Sequence, residues 1–192
     1  KANMNNTLDK IKVNHVLVED AMPTFTKLYR FLFSTHDENG VYLSRKVCDR
    51  CSDLIHSICV KEAISRGIEH VMFAYSPDQV ARYFYEIPQG EMKQEWMPNF
   101  LDDEPFDEED RWWYLSNEQI NGKSLPRVLL PYHVMAYQEE QIIEQVESKG
   151  LIEKGKADPL LTNCNVVHAA QFYDMNRYGG LLYAFQYAEL VR

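Results

Sequence analysis

Two hydrophobic periods organise the first third of the chain. Phe25, Leu28, Tyr29, Leu32 and Phe33 recur at the spacing of one helical face, and Pro23 suits a first helical turn, so a helix is predicted over 23–33. The polar run at 34–40 reads as a loop. A second helix is predicted from Ser44, an N-cap by its chemistry, to about Arg66. Gly67 then supplies the left-handed residue that ends it. Apolar and partly β-branched residues at 68–75 predict a short strand or extended segment. Residues 13–18 fit a short strand or a helix start, behind a polar stretch at 1–10.

Ser76-Pro77-Asp78-Gln79 has the residues of a capping box, with proline in the first turn, and predicts a helix to about Glu86, ahead of Pro88. From 88 to 110 the pattern predicts loop, with one helical turn around 91–97. Structure resumes at 112–115, Asn121-Gly122 marks a turn, and 128–130 reads as a short strand before Pro131. A helix over 132–149 would bury Met135, Ile142 and Val146 and expose Glu140, Glu144 and Glu147, with Gly150 as its C-cap. Asn163 is predicted to cap a helix to about Tyr173, and Gly179-Gly180 to break it. Residues 181–191 are apolar and fit helix or strand. Tyr173, Tyr178, Tyr183 and Tyr187 fit core or interface equally. The expected fold is α+β, mainly helical with a few short strands, in two closely packed halves: 1–87, largely helical, and 112–192, α+β, joined by a connecting segment at 88–111.

Charge changes the picture of that connecting segment. Seven of the nine residues at 102–110 are acidic: Asp102, Asp103, Glu104, Asp107, Glu108, Glu109 and Asp110. The chain has 29 acids against 20 bases, and without these seven the net charge of −9 falls to about −2. All three tryptophans, Trp96, Trp112 and Trp113, flank the run. Pro105 and the like charges argue against a regular element inside it. One expectation is a solvated loop. The other is a partner-binding surface, with the seven acids steering a basic partner and Phe106, Trp112 and Trp113 anchoring it. On that view, neutralising the acids changes stability by no more than about 0.5 kcal/mol.

The remaining composition narrows the function classes. A 192-residue chain with 45% hydrophobic residues can build a core without disulfides or metal. The acid excess disfavours nucleic-acid binding, which relies on neutralising phosphates. No apolar run approaches the length of a membrane span, and no secretory leader pattern is read, so no membrane insertion and a cytoplasmic location are expected. Four cysteines in this length fit free thiols.

Cys48-x-x-Cys51 with His56 and Cys59 invites a zinc or redox reading, which helix geometry weakens. Cys48 and Cys59 share a face but lie about 16 Å apart along an axis rising 1.5 Å per residue. Only Cys48 and Cys51 can chelate together, with help from elsewhere, such as Cys164 or His168. Their arc also carries Leu54, Ile55 and Ile58, so core cysteines are expected. The six histidines form no HExxH or comparable ligand spacing. Gly122-Lys123-Ser124 echoes the end of a phosphate loop, but Asn117 stands where its first glycine belongs.

No catalytic residue, metal ligand or cofactor is therefore assigned. The expected function is a non-enzymatic protein–protein interaction module, an adaptor or chaperone subunit of a larger assembly such as a secretion machine, holding a basic or amphipathic segment. The alternatives are an acidic inhibitor or immunity protein of a basic toxin or nuclease, an enzyme built on His36, His56, His133, Cys48 or Cys51, and a small zinc-binding module.

Overall fold

A computed structural model describes residues 2–77, 79–80, 83–103, 105–155 and 164–180. The predicted cap at Asn163, the segment 181–191 with Tyr183 and Tyr187, and the acids Asp78 and Glu104 lie outside the described residues. The chain is α+β and mainly helical, with a small three-stranded sheet. No helix among the described residues is long and apolar enough to cross a membrane. The described residues fall into two compact units, drawn from 1–19, 73–85 and 130–163, and from 20–72, 86–129 and 164–192.

The first unit contains α1 (Ala2–Ile11) and α7 (Glu139–Ser148). Gly150 ends α7 as expected, at φ +63°. Its amide donates to the Glu147 carbonyl and the Leu151 amide reaches back to Val146, which closes a Schellman motif. The Asn6 side chain donates to the Gly150 carbonyl at 2.9 Å, tying α1 to that helix end. The single helix expected over 132–149 is instead a 3-10 turn at Pro131–His133 followed, after a break, by α7. Met135 consequently lies outside the helix and is exposed. The helix expected after Ser76 is also replaced. Gln79 does return a bond to the Ser76 amide at 3.0 Å, but that box closes a single turn, and Tyr83 to Tyr85 are not helical.

The second unit holds α2 (Met22–Ser34), α3 (Val47–Ser65), α4 (Gln89–Trp96), α5 (Glu108–Trp112), α6 (Asn117–Ile120) and α8 (Asn165–Tyr178). Its sheet joins β1 (His70–Met72), β2 (Glu86–Ile87) and β3 (Arg127–Leu129) in the order β1-β3-β2, with β1 parallel and β2 antiparallel to β3. The central Val128 is fully buried. Arg127 grips Glu86 with two bonds, at 3.0 and 2.6 Å, across the β2–β3 pair.

Leu28 and Leu32 of the predicted α2 face are buried, against Val47 and Leu54 of α3, Leu101, Phe106, Tyr114 and Ala170 of α8, but the face is turned toward Phe31, also buried, and leaves Phe25, Tyr29 and Phe33 only partly covered. Gly67 and Gly179, both left-handed, close α3 and α8. Ser44 does not cap α3. It sits inside a 3-10 turn, Leu43–Lys46, that leads into the helix, with its hydroxyl buried. The buried side of α3 centres on Val47, Leu54, Ser57, Val60 and Ala63, which leaves Ile55 and Cys59 one turn apart on the outer side.

Candidate functional site

The stretch expected to be loop with one helical turn around 91–97 is built from three short helical pieces: α4, which covers that turn, a 3-10 turn at Asn99–Asp102, and α5. The helix starts inside the acidic run because the run caps itself. Asp107 is extended, and its Oδ1 accepts from the amides of Glu109 at 3.0 Å and Asp110 at 3.1 Å. Asp110 Oδ2 accepts in return from the Asp107 amide at 3.1 Å. That reciprocal box satisfies orphan donors of the first turn, and the acids favour its positive end.

Asp110 is also the point where α5 meets α2. Its carboxylate is 2% exposed. Thr24 Oγ1 donates to Oδ1 at 2.7 Å, and Lys27 Nζ donates to Oδ2 at 2.6 Å and to Asp107 Oδ2 at 2.6 Å. The Lys27 ammonium, then the Asp110 amide, hold the Asp107 carboxyl down at about 2. The bonds to Asp107 and Asp110 raise Lys27 to about 12. Asp107 and Asp110 are thus structural acids. Neutralising these two positions is therefore expected to cost stability, unlike the exposed remainder of the run.

The other described acids face outward. Arg111 bonds Glu108 at 2.7 Å, lies 3.7 Å from Asp102, and spends its Nε and Nη2 donors on the Leu101 carbonyl. Asp103 and Glu109 are exposed and make no ion pair among the described residues.

The three expected anchors separate. Phe106 is 8% exposed and belongs to the core, ring-to-ring with Phe31 at 5.3 Å and Phe100 at 5.4 Å. Trp113 is half-buried against the same core. Trp112 is 61% exposed, edge-on to Trp113 at 4.7 Å. Two side chains of α3 support it from below. Ser57 donates to the Trp113 carbonyl at 3.0 Å, and Lys61 donates to the carbonyls of Trp112 and Tyr114. Lys61 Nζ also stands 4.5 Å from the Trp112 ring centroid, and desolvation lowers its pKa. Glu108 and Glu109 precede Trp112 by four and three residues, so α5 places both beside the indole.

Cys48, Cys51 and Cys164 come together near Tyr29, whose pKa is raised by burial and by these thiols. All four cysteines are thiols; Cys59 is exposed, and Cys48, Cys51 and Cys164 are half-buried. Cys51 lies 3.1 Å from the Tyr29 hydroxyl, and burial pushes its thiol pKa up. His36 packs on Tyr42, and His56 is buried edge-on to Trp96. His133 meets the Tyr83 carbonyl at 3.1 Å in the other unit. No group of three His, Cys, Asp or Glu among the described residues can hold a metal ion.

Sequence reasoning missed Lys27, Thr24 and Lys61. Their roles come from partners more than fifty residues away, and nothing in the local pattern around them signals it. Comparison with known proteins gives no match to any family model, to any curated protein or to any solved structure.

Proposed function

We propose that this chain is a non-enzymatic interaction module, an adaptor or chaperone subunit of a larger assembly, that holds a basic segment of a protein partner on the outer face of α5. The observation that carries this reading is Trp112, 61% exposed on a rigidly supported helix end, with Glu108 and Glu109 one turn away. Exposed tryptophan is a frequent source of concentrated binding energy, and surrounding acids raise the encounter rate with a basic surface. Asp102 and Asp103 extend the acidic surface. The indole offers a cation a favourable ring face, as Lys61 already exploits, so an arginine-bearing segment suits it best.

The test is capture from native lysate at low salt, then binding kinetics with the partner so identified. Wild type is run beside Trp112→Ala and a quadruple variant with Asp102, Asp103, Glu108 and Glu109 changed to the matching amides. Trp112→Ala is expected to weaken binding at least tenfold, mainly by faster dissociation. The quadruple variant is expected to associate more slowly and with less salt dependence. A partner held equally by all three proteins would remove this face from the site. The partner's nature then separates an adaptor from an inhibitor of a basic toxin.

A further inference from the structure

A second surface of the same unit has the opposite electrostatic character. An open cavity of about 620 Å³ lies among α2, α3, α4 and the turn at Asn99–Asp102. Lys46 and Arg50 enter it from one side, four residues apart, and Lys93 of α4 enters it as well. No aspartate or glutamate lines it. In a chain with 29 acids and 20 bases, this is an unusual local balance. Arg50 gives Nη1 to the buried Asp53 at 2.9 Å, which fixes the guanidinium and leaves its other donors for a ligand. Lys46 and Lys93 are exposed and pair with no carboxylate among the described residues. Asp53 offsets the charge of Arg50 alone, so Lys46 and Lys93 leave the cavity with an excess of positive charge that a bound anion relieves.

The rest of the lining restricts the ligand further. Leu32, Leu43, Pro98 and Phe100 give the cavity an apolar part, and Asn99 and Asn117 add amides that both donate and accept. Its volume is that of a small-molecule site. We propose that this cavity binds a small phosphate monoester with a planar or apolar body, of the nucleoside monophosphate type, its phosphate held by Lys46, Arg50 and Lys93 and its body laid on Leu43 and Phe100. Guanidinium and ammonium donors suit the phosphate dianion, and the amides suit polar edges of a ring. The site is independent of the α5 surface and stands or falls without it.

Adenosine 5′-monophosphate is the probe, titrated by calorimetry and by amide NMR beside inorganic phosphate and adenosine. The monophosphate is expected to bind more tightly than either fragment and to shift the signals of Lys93, Gln94 and Asn99. Lys46→Gln and Lys93→Gln, both at exposed positions, are each expected to weaken binding about fivefold, and Lys123→Gln, outside the cavity, to leave it unchanged. No binding at millimolar ligand, or affinity indifferent to Lys46→Gln and Lys93→Gln, overturns the proposal. Inorganic phosphate binding as tightly as the monophosphate overturns the role given to the apolar part.

Discussion

Asp110→Ala should be the most costly single change in the acidic run, although Asp110 is one of seven acids there. Three donors converge on its carboxylate: the Thr24 hydroxyl at 2.7 Å, the Lys27 ammonium at 2.6 Å and the Asp107 amide at 3.1 Å. Alanine removes all three acceptor contacts. The Thr24 hydroxyl is the most expensive to strand, because Thr24 is 2% exposed and water cannot readily replace the carboxylate, a loss of about 1–2 kcal/mol. Half of the capping box goes with it, worth about 0.5 kcal/mol. Lys27 retains Asp107, so its charge is not orphaned. The expected loss is about 2 kcal/mol.

Asp110→Asn keeps the shape and separates charge from hydrogen bonding. Its amide oxygen can accept from Lys27 and the Asp107 amide, while its NH2 faces Thr24, whose hydroxyl can rotate to accept. The expected loss is about 1 kcal/mol. Urea unfolding followed by tryptophan fluorescence reads both variants, because Trp96, Trp112 and Trp113 all lie in the unit that contains Asp110. With a slope of about 2 kcal/mol per molar, the alanine midpoint falls by about 1 M and the asparagine midpoint by about 0.5 M. An alanine variant within 0.5 kcal/mol of wild type would refute the structural role of Asp110, as would an asparagine variant as damaged as alanine.

Asp107 supplies a pH dependence. Its carboxyl is held at about 2, below the ordinary value of 3.8, so its contribution is full above pH 4 and lost as pH falls through 2. Wild type should therefore lose urea resistance between pH 4 and 2 more steeply than Asp107→Asn, and parallel curves would contradict the pairing with Lys27. Gly122 is tightly placed: a Cβ there would meet the Glu118 carbonyl oxygen at 2.9 Å and the Gln119 oxygen at 3.3 Å, whereas one at Gly90 would meet nothing within 4 Å. Gly122→Ala should cost about 2 kcal/mol and Gly90→Ala, in a helix, should add about 0.5 kcal/mol, with equal midpoints in urea arguing against both. The Tyr114 hydroxyl is buried without a hydrogen-bond partner among the described residues, so Tyr114→Phe should raise stability by up to about 1 kcal/mol, and a loss of that size in the same assay would reveal a partner.

The parts of the fold legible in the sequence are those whose signal is local. The α2 face follows from the spacing of Leu28 and Leu32, and the ends of α3, α7 and α8 follow from Gly67, Gly150 and Gly179, which only need to adopt positive φ. The misreadings occur where a distant partner decides. Ser76–Gln79 has the right capping chemistry, yet the chain is recruited into β2 ten residues later, because Ile87 pairs with Val128 at the centre of the sheet. The helix α4 is legible only as a single turn around 91–97, because it buries just Met92 and Trp96, one turn apart, a stripe too short to show its length as a period. The acids of α5 read as surface charge because their ligands, Thr24 and Lys27, stand 86 and 83 residues away from Asp110.

That division of the acids bears directly on partner binding. A run of seven like charges suggests a single long-range field, but Lys27 offsets one of the two charges of Asp107 and Asp110, and Arg111 one of the two of Asp102 and Glu108. The surface left to steer a partner is correspondingly smaller and is concentrated within a turn of Trp112. With a screening length near 8 Å at physiological salt, only charges that close to the anchor affect a partner already poised over the indole. Binding and stability should therefore separate cleanly along the run. Changes at Glu108 and Glu109 should alter association rate and its salt dependence while leaving the urea midpoint in place. Asp107→Asn and Asp110→Asn should move the midpoint and, in the folded protein, slow association less than changes at Glu108 and Glu109 do. A partner whose association slowed equally for both pairs would mean that the whole run acts as one field, and the weight given to the Lys27 ion pairs would then be wrong.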